Sequence, residues 1–140
     1  WLDILNPETV LTPHPKEMSR LMGLATQKIQ KNRIATASQF AADHSLTLVL
    51  KGSPSLIAMA DGTVIINPTG NAGMATGGSG DVLTGIIAGL MAQGMPQASI
   101  ASTYIHGQAG DYFAKNESET TLIAGDLLRS LPETLKRILP

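Results

Sequence analysis

From Asn71 to Asp81 the chain reads Asn-Ala-Gly-Met-Ala-Thr-Gly-Gly-Ser-Gly-Asp, four glycines in eleven residues, and then turns apolar. Val82, Leu83, Ile86, Ile87, Leu90 and Met91 follow at helical spacing. This junction constrains the fold more than any other stretch, because a loop with freedom for positive φ must feed a helix whose N-terminus holds Ser79 and Gly80. Backbone N–H groups there have no partner within the helix and lie at the positive end of its dipole, so they stabilise an anion. No Gly-Lys-Ser/Thr follows as in a Walker A loop, and the G-x-G-x-x-G of simple dinucleotide sites is absent. The run therefore predicts a phosphate cradle of another kind; the alternative is an ordinary Gly-rich loop before a helix. Asp81 would repel phosphate, so beside one it is placed to bind a proton, a hydroxyl or a metal. Its alternative role is a helix cap worth about 1 kcal/mol.

The rest of the pattern is mixed α/β. Val10-Leu11-Thr12 reads as a short strand stopped by Pro13 and Pro15, and Lys16 to Met22 as a helix closed by Gly23. Thr26 to His44 predicts one amphipathic helix through Ile29, Ile34, Ala37, Phe40 and Ala41, and Leu46 to Leu50 a buried parallel strand, giving a βαβ-like unit. Leu56 to Ala60 and Thr63 to Ile66 flank Asp61-Gly62, which predicts a hairpin with a two-residue type I′ turn. Three helices should follow the glycine run, about Asp81 to Gln93, Gln97 to Lys115 and Ile123 to Leu139, the last broken at Pro132. The order fits a mixed α/β sandwich, or the later half of one.

Composition narrows the function classes. The 140 residues allow one domain, 1–140, and 43% hydrophobic content suits a globular chain with a core. Ten basic and eleven acidic residues, scattered to a net charge of -1, form no stripe for nucleic acid or an acidic membrane. Without cysteine there are no disulfides or thiolate metal sites, and no apolar run reaches the ~20 residues of a membrane span, so a cytoplasmic protein is expected. The three histidines lie far apart and show no metal-binding spacing, so no intrinsic metal site is indicated.

Four stretches, in order, carry a family resemblance: Thr12-Pro13-His14-Pro15-Lys16-Glu17-Met18-Ser19-Arg20-Leu21, Val49-Leu50-Lys51-Gly52, Asn71 to Gly85, and His106-Gly107-Gln108-Ala109-Gly110-Asp111. Together they resemble the ADP/ATP-dependent NAD(P)H-hydrate dehydratases of the ribokinase-like superfamily. Gly-Ser-Gly-Asp alone points only to that superfamily, and the Thr-Pro-His-Pro-x-Glu run narrows the match. The resemblance implies a three-layer α/β/α sandwich with a mainly parallel sheet plus a β-hairpin. The family's first half is missing, and Trp1 stands where an initiator methionine would, so a carboxyl-terminal fragment is expected.

The resemblance also implies roles. Asp81 becomes the catalytic acid, contacting the hydrated nicotinamide together with His14, Pro15, Lys16, Glu17, Met18, Ser19 and Arg20. Lys51, Gly52, Ser53, Pro54 and Ser55 contact the adenine nucleotide, as do Asn71, Ala72, Gly73, Met74, Ala75, Thr76, Gly77, Gly78, Ser79 and Gly80. Ser55 departs mildly from the family's usual Thr or Asp. ADP or ATP is the co-substrate, Mg²⁺ arrives with it, and the activity is that of a hydro-lyase returning NADH or NADPH from its hydrate. Bacterial stand-alone members generally form homotetramers, and others are fused to an epimerase domain. Taken without the resemblance, Lys51 is equally a strand-end lysine, Glu17 and Arg20 an exposed i,i+3 pair, and His106 a packed or capping residue. A ribokinase-like vitamin or sugar kinase is the competing enzyme class, and a non-catalytic nucleotide-binding fragment the competing module.

Overall fold

The computed structural model describes residues 2–138; Trp1 and the predicted helix end at Leu139 lie outside them. It divides into two compact units, 1–67 and 68–140.

The first unit is a sheet with helices. Strands β1 (Val10–Leu11), β2 (Thr47–Leu50), β3 (Leu56–Ala58) and β4 (Val64–Ile66) lie in the order β1-β2-β3-β4. β1 runs parallel to β2, whereas β2–β3 and β3–β4 are antiparallel. The sheet is thus mixed, and its parallel pairing is confined to the predicted βαβ crossover. Helices α1 (Pro15–Met22), α2 (Thr26–Lys31) and α3 (Arg33–Asp43) form that crossover. α1 starts at a capping box and ends on Gly23 in the left-handed region, φ 65°. Met18, Ile29, Ala37, Phe40, Ala41 and Leu46 pack with Leu48, Leu50, Leu56 and Ala58 into one core.

Three local expectations need correction. Thr26 to His44 is not one helix: Asn32, at φ -134° and ψ 44°, ends α2 and opens α3. The break resets the helical phase, so Ile34, expected on the buried face, is 54% exposed. The hairpin turn is one residue longer than predicted. Gly62 N–H bonds Met59 O at 2.9 Å and Met59 N–H bonds Thr63 O at 2.8 Å, enclosing three loop residues. Gly62 alone takes positive φ, 84°, whereas a type I′ turn needs it at Asp61 too. Asp61 instead accepts the Thr63 N–H at 2.8 Å.

The second unit is helical among its described residues: α4 (Ser79–Ala92), α5 (Ala98–Asn116) and α6 (Ala124–Ile138), with short 3₁₀ turns at Ala72–Met74 and Glu119–Thr121. Val82, Ala109, Leu122 and Leu127 centre its core, with Met74, Ile86, Phe113, Ala124 and Leu131 packed around them. α6 does not break at Pro132 but runs through it. Pro132 lies on the exposed side and so does Leu128, whose carbonyl loses its helical donor, so water can replace the missing bond.

Candidate active site

In the first unit the structure joins two of the predicted segments. Lys51 N–H bonds Pro13 O at 2.9 Å, tying the end of β2 to the loop before α1. His14 caps α1: its Nδ1 accepts N–H bonds from Lys16 and Glu17, each at 3.1 Å. Because Nδ1 accepts, a neutral ring carries its proton on Nε2, which lies 3.5 Å from Glu17 Oε1. Glu17 Oε2 accepts the His14 N–H at 2.7 Å and lies 3.6 Å from Lys51 Nζ. Burial pushes the Glu17 carboxyl up, but the His14 N–H, with Lys51 and His14 nearby, outweighs burial and holds it below its ordinary value. The simple Glu17–Arg20 pair is not formed: Glu17 reaches Lys51 instead. Arg20 is exposed with no partner among the described residues. Met18 has its side chain wholly buried in the core, so no ligand touches that side chain.

Sequence reasoning missed Arg33, which shapes the nucleotide-predicted segment 51–55. Its Nη2 donates to Pro54 O at 2.7 Å, Leu50 O at 3.3 Å and Lys51 O at 3.5 Å. Gly52, at φ 151°, passes directly over this guanidinium, where a Cβ would fall 2.5 Å from Nη2. Ser55 Oγ donates to Gly52 O at 3.1 Å, and the Ser53-Pro54 peptide is cis. The segment is a tight hook held from beneath by one cation. Arg33 gave no signal in the sequence because its partners are carbonyls 17 to 21 residues away.

In the second unit the glycine run opens α4 as expected. Gly78 is the N-cap, left-handed at φ 85°, and no side chain caps the helix. Asp81 is therefore not the cap; it stands at the third helical position, exposed, and its carboxylate accepts no hydrogen bond among the described residues. Asp81 N–H and Val82 N–H both point to Gly78 O at 3.1 Å, while the N–H groups of Gly77, Gly78 and Gly80 meet no acceptor among the described residues. Free amides, a positive helix end and an uncommitted carboxylate thus occur within five residues.

Helix α5 shapes this loop. Asp111 accepts Gly70 N–H at 2.8 Å and Asn71 Nδ2–H at 3.0 Å, and this directs Asn71 Oδ1 to Gly73 N–H at 3.1 Å. Glu119 Oε1 shares that Gly73 donor at 3.2 Å. Gly107 and Gly110 let the loop lie against the helix: a Cβ on either would fall 2.0 Å from Thr69 Oγ1 or 2.4 Å from Met74 Sδ. At the far end, buried His106 places Nε2 3.0 Å from Ser79 O and 3.4 Å from Ser79 Oγ. His106 is thus packed and hydrogen-bonded. Ser79 is buried. The i, i+3, i+4 spacing of Gly107, Gly110 and Asp111 was the available signal for this support. Among the described residues no three His, Cys, Asp or Glu side chains converge to hold a metal, and no helix is long and apolar enough to cross a membrane.

The family model for NAD(P)H-hydrate dehydratase matches residues 4–133. The chain belongs to the NAD(P)H-hydrate dehydratase family. Among relatives, the bifunctional NAD(P)H-hydrate repair enzyme of Moorella thermoacetica is 51% identical over 131 residues, 92% of this chain and 25% of that protein. The ADP/ATP-dependent NAD(P)H-hydrate dehydratase of Bacillus subtilis, co-crystallised with ATP and Mg²⁺, superposes with a TM-score of 0.88 at 37% identity, covering 93% of this chain and 48% of that one. A ribokinase-like superfamily protein of Enterococcus faecalis superposes at 0.77 with 36% identity, covering 91% and 44%. The fold is therefore ribokinase-like α/β, and the chain spans a quarter to a half of these family members' lengths.

Proposed function

We propose that this chain carries the phosphate-binding and proton-accepting parts of an ADP- or ATP-dependent NAD(P)H-hydrate dehydratase, a hydro-lyase that repairs NADH or NADPH. The observation that carries the reading is the uncommitted Asp81 carboxylate one residue beyond the free Gly77, Gly78 and Gly80 amides. Asp81 takes the proton of the ring hydroxyl of the hydrate, and that oxygen attacks the terminal phosphoryl group of ADP or ATP. A P–O bond forms as the bridging P–O bond to the nucleotide breaks, while the loop amides stabilise the charge gathering on the phosphoryl oxygens. Phosphate then leaves with the C–O bond electrons, a ring proton is lost, and the conjugated dihydronicotinamide is restored.

In the first unit, Lys51 and the 51–55 hook supply a cation and backbone groups for the nucleotide. The His14 Nε2–H, Glu17 and unpartnered Arg20, with Pro15, Lys16 and Ser19 around them, serve the hydrate. The Asn71–Gly80 loop, through backbone groups, serves the nucleotide phosphates. Mg²⁺ would come with the nucleotide phosphates and polarise them; among the described residues no three His, Cys, Asp or Glu side chains form a cage of their own for it. A cytoplasmic site, where these nucleotides are used, belongs to the reading, and the absence of cysteine suits it. So do a homotetramer and an epimerase partner, which the family resemblance and the bifunctional Moorella relative support.

The test is recovery of dihydronicotinamide absorbance from hydrated NADH and NADPH with ADP, with ATP, or with neither. Nucleotide-dependent recovery supports the reading. Bound ADP with no recovery, or a phosphorylated product in place of NADH, overturns it.

A further inference from the structure

We propose that α5 clamps both ends of the 70–81 loop, with His106 and Asp111 acting as positioning residues that hold the free amides and Asp81 in place. The inference rests on the proposed phosphate-binding role of that loop. Ser79 O is a carbonyl and can only accept, so His106 Nε2 carries a proton and donates to it at 3.0 Å. Its acceptor belongs to the first residue of α4, two before Asp81. At the loop's other end Asp111 accepts Gly70 N–H at 2.8 Å and Asn71 Nδ2–H at 3.0 Å. The two clamps lie five residues apart on one helix, ~7.5 Å along its axis. Gly107 and Gly110 lie between them, and both lack the Cβ that would push the loop away.

A rigid helix thereby sets the distance between the ends of a glycine-rich segment that has little stiffness of its own. α4 lacks a side-chain cap, so the His106 bond from outside the helix helps fix the orientation of its first turn. The bond needs a donor at the Nε2 position and not merely a ring that fills the space.

That distinction gives the test. Amide hydrogen exchange is measured on the whole chain as wild type, His106→Phe and His106→Gln, with ADP binding followed in parallel by calorimetry. The Phe variant fills the volume without a donor, and the Gln variant restores an N–H near the same point. Exchange at Asp81 and Val82, whose N–H groups bond Gly78 O at the start of α4, should rise about tenfold in Phe, the scale of one net hydrogen bond, and stay within about twofold of wild type in Gln, with β2 unchanged in both. Equal exchange in Phe and wild type, or equal loss in Phe and Gln, overturns the proposal. Should the Phe variant not fold, Asp111→Asn decides: faster exchange confined to Gly70 to Gly73 supports the clamp, and no change there overturns it. Failure of the wild type to bind ADP refutes the phosphate reading, while the exchange pattern still decides the clamp.

Discussion

Replacing Gly107 by alanine should destabilise the protein although the same change elsewhere in a helix stabilises it. A glycine inside a helix costs about 1 kcal/mol relative to alanine, so the substitution begins with that gain. At Gly107 the new Cβ would fall 2.0 Å from Thr69 Oγ1 and 2.7 Å from the Thr69 carbonyl carbon. Thr69 Oγ1 is itself engaged with Tyr104 O at 3.1 Å, so the hydroxyl cannot swing aside without losing that bond. Moving backbone in this way costs about 3 kcal/mol, the upper end for overpacking, and the net loss is about 2 kcal/mol. Gly89 in α4 has nothing within 4 Å of its Cβ position, and Gly89→Ala should gain about 1 kcal/mol. The two variants should differ by about 3 kcal/mol, close to 1.5 M in urea midpoint at a typical slope of about 2 kcal/mol/M. Chemical denaturation of the pair is the assay. A Gly107→Ala midpoint at or above wild type would refute the reasoning.

Arg33→Met removes the donor to the Leu50, Lys51 and Pro54 carbonyls. It should cost about 1–3 kcal/mol and raise the apparent KM for nucleotide, checked by urea denaturation and by ADP titration. Glu17, held below its ordinary value of 4.5, contributes stability that is complete above that value and lost as pH falls through the lower folded-state pKa. Glu17→Gln should therefore flatten the fall in Tm on the acid side of pH 4.5, and equal slopes in variant and wild type would count against the Lys51 and His14 contacts.

The parts legible in the sequence were those written in local chemistry. Gly23 marks the end of α1, the Gly77 to Asp81 run marks the start of α4, and Pro13 with Pro15 stop β1, because each depends on φ or on neighbouring residues. What stayed hidden depends on distant partners or on solvent. Arg33 is explained only by carbonyls across the unit, and the kink at Asn32 places it at the start of α3. Pro132 sits within α6 because its side faces solvent, a fact that propensity alone does not contain. Asp81 was open in the sequence between helix cap and catalytic group; the structure gives the cap to Gly78. Asp111 and Glu119 were missed as site supports because they act on backbone N–H groups more than 40 positions away.

The most direct test of the central claim compares wild type with Asp81→Asn for recovery of dihydronicotinamide absorbance from hydrated NADH with ADP or ATP present. The amide keeps the shape of the side chain and cannot take the proton. The account predicts nucleotide-dependent recovery in wild type and a loss of at least ~100-fold in the variant, the usual contribution of a general base, with ADP still bound. Full recovery by the variant would contradict it.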